Sequence, residues 1–167
     1  GHFIDRQLAL GRRRGRAFLA RAGSSGLAAC AAGRHRKLHD LPALLLLSDA
    51  GRLPDPLAAL DRLPRGSGLV FRHYGAPGRE ALARALVLKA RARGIRVLVA
   101  GDPRLAARVG AAGLHLPEAR LGAPLAMIPR MLRKSAIITV AAHSPRTLFR
   151  AARLGADAAV LGPVFPT

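Results

Sequence analysis

Asp49, Arg72, His73, Asp102, Glu118, His143 and Ser144 each stand at, or just past, the end of a short apolar run. Together they offer carboxylates, a guanidinium, imidazoles and a hydroxyl, the groups that bind polar ligands and carry protons. Imidazole is the side chain whose ordinary pKa lets it change charge near neutral pH. Loops are polar in any protein, so one such residue would mean little. Seven in the same relation to an apolar run ask for an architecture that gathers them.

That architecture is written in the runs themselves, at residues 43–47, 69–72, 96–100, 114–116, 137–141 and 158–162, with Ala-, Leu- and Arg-rich stretches between them. Strands alternating with helical segments predict βα units, a parallel sheet and helices covering it. In such sheets the carboxyl ends of the strands, where strand-to-helix loops converge, form the ligand-binding rim. The run 43–47 is continuously apolar and suits a strand buried on both faces.

Helix signals fall where βα units need them. Asp55-Pro56 caps and opens a short helix, and Ser144 precedes Pro145 in the same way. Residues 79–93 carry Leu82, Leu86 and Ala90 on one stripe with basic residues elsewhere, and Gly94 closes the segment. Residues 105–109 and 145–154 read as further helices, closed by Gly110 and Gly155, whereas 121–133 reads as a weak helix broken by Pro124 and Pro129. Strand alternation sets Arg72 and Tyr74 on one side and His73 on the other, away from the pocket. His115, inside the apolar Gly113-Leu-His-Leu strand, reads as a buried structural histidine.

The chain has 167 residues and a formal charge of +19, which invites a nucleic-acid reading. Lys37, Lys89 and Lys134 are the only lysines, and the abundance of Arg, Ala, Gly and Pro fits GC-rich coding as well as selection for a polyanion. One Tyr and no Trp leave no stacking platform for single strands, so no specific nucleic acid is expected. The lone Cys30 excludes an intrachain disulfide and fits a reducing, cytoplasmic setting. No run is long enough for a membrane span, so no membrane partner is expected. The oligomeric state is not readable.

Residues 1–41 differ in character from the rest. They are basic, lack an initiator Met, and read as a disordered extension or a misassigned start, despite a superficial likeness to an export signal or transit peptide. His35 and His39 have a helical metal spacing but no third ligand nearby, so they read as a solvated pair.

The later units carry a specific likeness. Gly113-Leu-His115-Leu, then Ala142-His143-Ser144, then Gly155-Ala-Asp157-Ala-Ala-Val-Leu-Gly162-Pro163-Val-Phe-Pro166-Thr167 resemble the thiamine-phosphate synthase/TenI family. The resemblance spans residues 42–167 and implies a (β/α)8 TIM barrel, present here as about six βα units with strands 7 and 8 missing. On that reading the chain is a fragment that neither folds stably alone nor turns over substrate. Family synthases join a pyrimidine diphosphate to a thiazole phosphate, releasing pyrophosphate with Mg2+. TenI-type relatives isomerise the thiazole phosphate.

Carried over position by position, the resemblance implies phosphorylated small-molecule substrates. It implies Arg72, Tyr74, Ser144 and Thr167 on the substrate and phosphate side, and Asp102 with Glu118 toward Mg2+. His143 matches the TenI-type proton-transfer histidine. The departures are specific. Val70, Arg72 and Tyr74 stand where synthases carry Gln, Arg and Lys, Gly101-Asp102 where they carry Asn-Asp, Arg120 where they carry a metal-binding Asp, and Ala141 where they carry Ser. Three further readings follow: a divergent synthase, a TenI-like tautomerase, or a non-catalytic binder of phosphate ligands. A basic nucleic-acid-binding protein is the remote alternative.

Overall fold

A computed structural model describes residues 41–121, 132 and 135–162. Six strands alternate with helices: β1 (Leu45–Ser48), α1 (Pro56–Arg62), β2 (Gly68–Phe71), α2 (Arg79–Ala92), β3 (Arg96–Ala100), α3 (Pro103–Arg108), β4 (Gly113–Leu116), a 3-10 turn (Glu118–Arg120), β5 (Ile137–Ala142), α4 (Pro145–Arg153) and β6 (Ala158–Leu161). All neighbouring pairs are parallel, and the strand order in the sheet is the order in the chain. These are six consecutive βα units of the (β/α)8 barrel architecture.

Local chemistry explains the boundaries. Asp55, Asp102 and Ser144 each accept from a backbone N–H in the first turn of the helix they precede, and each is followed by Pro. This satisfies a donor that the helix cannot, while Pro fills a position where no N–H is needed. α2 ends at Gly94, whose φ of 66° only glycine adopts freely, and Ile95 N–H then bonds back to Ala90 O at 2.8 Å.

Period-two alternation divides the strand side chains between two cores. Leu69, Phe71, Val97, Val99, Leu114, Leu116, Ile138 and Val140 pack with the helices. Val70, Leu98, Ala100 and Ile137 form a second cluster on the opposite, inner face, with Leu45 and Leu47 packed against it. β2 and β4 are buried throughout, as strands covered on both faces must be.

Two expectations need correction. β1 is not buried on both faces: its three leucines are half-buried and Leu44 is 50% exposed, because among the described residues β1 pairs with β2 alone. On α2 the fully buried stripe is Ala83, Leu86, Val87 and Ala90, with Leu82 only partly covered. The weak helix at 121–133 falls almost wholly outside the described residues, as do residues 1–40 with His35 and His39, and Thr167.

Candidate functional site

Parallel strands in chain order bring Asp49, Arg72, Tyr74, Asp102, Glu118, His143 and Ser144 to one rim, at the carboxyl ends of β1 to β5. They do not form a single cluster. They fall into an inner layer and two side-chain networks.

The inner layer begins with Arg72. Its N–H bonds to Ser48 O at 3.2 Å, continuing the β1–β2 ladder and keeping its side chain on the parity of inner-core Val70. His115, paired with Thr139 in the β4–β5 register, lies on that same inner face. It is 3% exposed, and its Nδ1 lies 2.9 Å from Thr139 Oγ1. Burial, and secondarily the Arg72 charge, pushes its pKa down to about 4, so the ring is neutral at physiological pH. His73 points the other way, buried and stacked on Phe71 with ring centroids 5.1 Å apart, so it stands outside the rim network. Its Nδ1 sits 3.3 Å from Ser48 Oγ.

The first network joins β2 to β3. Asp102 Oδ1 accepts from Leu105 N–H at 2.9 Å, and Oδ2 lies 3.5 Å from Arg79. Arg79 donates to Ala100 O at 2.9 Å and lies over the rings of Phe71 and Tyr74. Tyr74 is half exposed, ring toward Gly101. Asp49 is bound within its own loop by the N–H groups of Arg52 and Gly51, which, Arg52 first, hold its carboxyl below the usual range.

The second network joins β4 to β5. Glu118 Oε2 accepts from His143 N–H at 2.8 Å and lies 2.5 Å from His143 Nδ1. Glu118 Oε1 accepts from Thr147 Oγ1, whose oxygen is also 2.9 Å from Ser144 Oγ. These bonds, Thr147 first and His143 second, hold the Glu118 carboxyl below its ordinary pKa.

Sequence reasoning missed Arg79 and Thr147. Arg79 reads as one more surface cation on a basic helix. Thr147 occupies the third helical position after the Ser144 cap, a place that signals capping and nothing about a carboxylate 29 residues away. Arg120, at the position of the expected metal ligand, is exposed and its side chain has no partner among the described residues.

Mg2+ takes hard oxygen ligands in near-octahedral geometry. Glu118 has both oxygens committed to protein donors, and Asp102 has one committed and the other facing a guanidinium. No group of three or more His, Cys, Asp or Glu suited to a metal occurs among the described residues. The expected magnesium pair is thus already engaged by protein donors, Glu118 more fully than Asp102.

Six parallel βα units with their polar tips on one rim define a (β/α)-barrel protein. The family model described as thiamine monophosphate synthase matches residues 62–167, and the chain belongs to that family. It is similar to the thiamine-phosphate synthase of Thioalkalivibrio sulfidiphilus, 39% identical over 92 residues that cover 54% of this chain and 43% of the relative. It shares its fold with a solved thiamine phosphate pyrophosphorylase from Pyrococcus furiosus, at a TM-score of 0.64 and 21% identity, over 77% of this chain and 64% of that one. The chain thus spans less than two thirds of the length of either relative. No helix among the described residues is long and apolar enough to cross a membrane.

Proposed function

We propose that the protein to which this chain belongs acts in thiamine biosynthesis as a thiamine-phosphate synthase, joining a pyrimidine diphosphate to a thiazole phosphate in the cytoplasm. The family match over residues 62–167 carries the reading. The rim supports it. Arg72 is the charged side chain on the inner parity of β2, placed to meet a phosphate entering the mouth. Guanidinium suits this task because its planar fork pairs with phosphate oxygens two at a time. The family likeness also assigns Tyr74, Ser144 and Thr167 to the phosphate side.

We derive no step through the metal. Full-length protein, given both substrates with and without Mg2+, is expected to form thiamine phosphate. Absence of product at high enzyme concentration would refute the synthase reading. Arg72→Ala should weaken binding of the thiazole phosphate, measured by calorimetry, by about tenfold or more, the worth of a charge-assisted hydrogen bond.

A second reading is favoured by the Glu118–His143 contact. It is a TenI-like tautomerase in which His143 takes a proton from the thiazole phosphate at one atom and returns it at another, with no net proton consumed. The His143 side chain is 60% exposed at the rim, and its Nε2 is not committed to the carboxylate. Isomer formation from the thiazole phosphate alone would distinguish this activity from synthesis.

A further inference from the structure

We propose that Glu118 is a positioning residue for His143: it fixes the imidazole as the Nδ1–H tautomer and presents Nε2 to the rim as a proton acceptor. This rests on the tautomerase reading only for its use in catalysis, because the geometry stands independently.

The carboxylate is immobilised from several directions. Its backbone is set by the 3-10 turn after β4, where Arg120 N–H bonds to Pro117 O at 2.9 Å and Leu121 N–H to Glu118 O at 3.0 Å. Its Oε1 is held by the hydroxyl of Thr147, itself 6% exposed in the first turn of α4. Thr147 is tied in turn to the Ser144 cap through both its N–H, at 3.2 Å, and its hydroxyl. Oε2 then receives the His143 N–H and faces Nδ1.

An ionised carboxylate accepts hydrogen bonds and donates none. At 2.5 Å from Glu118 Oε2, His143 Nδ1 must therefore carry the proton, and in the neutral ring Nε2 keeps its lone pair. The neighbouring cations along the chain, Arg120 and Arg146, are exposed and make no ion pair among the described residues, so Glu118 is the charged group that addresses this ring.

Long-range proton–nitrogen spectra of full-length protein labelled at histidine nitrogens test this, with the His143 signals assigned through His143→Gln. At a pH where the ring is neutral, His143 is expected to show a protonated Nδ1 and an unprotonated Nε2. Glu118→Ala should return it to a mixture rich in the Nε2–H form, whereas Glu118→Gln, whose amide oxygen still accepts, should keep Nδ1–H. Mg2+ alone should leave the pattern unchanged. An Nε2–H ring in the wild type, an unchanged pattern in Glu118→Ala, or loss of Nδ1–H on adding Mg2+ would overturn the proposal. The wild-type spectrum decides even if Glu118→Ala fails to fold. In the isomerase assay Glu118→Ala should lower kcat about a hundredfold with KM held, and Glu118→Gln should restore part of it. If His143→Ala keeps the full rate, the tautomerase reading fails while the spectra still judge Glu118.

Discussion

An imidazolium at the position of His115 would sit between Thr139 and the Arg72 charge with little water to solvate it. Its folded pKa, about 4, lies below the ordinary value of 6.5. Between those values the unfolded chain binds the extra proton, so the His115 contribution lowers stability as pH drops from 6.5 toward 4 and itself levels off below. A shift of that size corresponds to on the order of 3 kcal/mol when fully developed. Denaturation of full-length protein across this range should show the loss, and His115→Gln should flatten it. A wild-type profile already flat there would contradict the burial argument. The paired carboxylates Asp61, Glu80 and Glu118, all with lowered pKa, lose their contributions only at more acid pH. At this scale the sequence revealed two placements well: His73 turned away from Arg72 follows from a period of two, and the burial of His115 from the apolar strand around it. It did not reveal which polar tips touch. The bond of Thr147 to Glu118 depends on how β4 and α4 lie across the sheet, and no local pattern encodes that.

The elements show how closely β4 and β5 are fitted. Gly113 pairs with Ile137, and a Cβ added at Gly113 would fall within the Ile137 backbone. Gly113→Ala must push the two strands apart, at a cost of about 1–3 kcal/mol, as for other overpacked sites. Gly51→Ala, where the added carbon meets Asp49 Oδ1 at an ordinary 3.6 Å, serves as the control. Equal denaturation midpoints for the two variants would show that the strands have slack. The rhythm of apolar runs placed every strand to within two residues because caps, prolines and glycines mark the joints. It misjudged the cover on β1, since burial of a strand depends on its neighbours in space. It also placed no turn at Glu118–Arg120, where Pro117 leads directly into a single 3-10 turn.

At the scale of the whole molecule, the charge of +19 meets a surface where several described cations are held within the protein. Lys89 donates to Leu57 O and the Asp61 carboxylate, Arg93 to Leu60 O and Asp61 O, Arg91 donates to Gly110 O, and Arg84 and Arg108 share Glu80. These cations tie α2 to its neighbours α1 and α3. Any attraction for DNA should therefore be diffuse, falling about a thousandfold between roughly 50 and 200 mM salt, as counterion release dictates. Tight duplex binding that persists at physiological salt would show a built nucleic-acid site instead.

The strict succession of β1 to β6 has one more consequence. Within β1 to β6, each edge needed by the next unit was laid down by the one before. Loop closures stay short and their entropic penalty small. A polypeptide emerging from the ribosome amino end first can thus add its layers in the order in which they are translated.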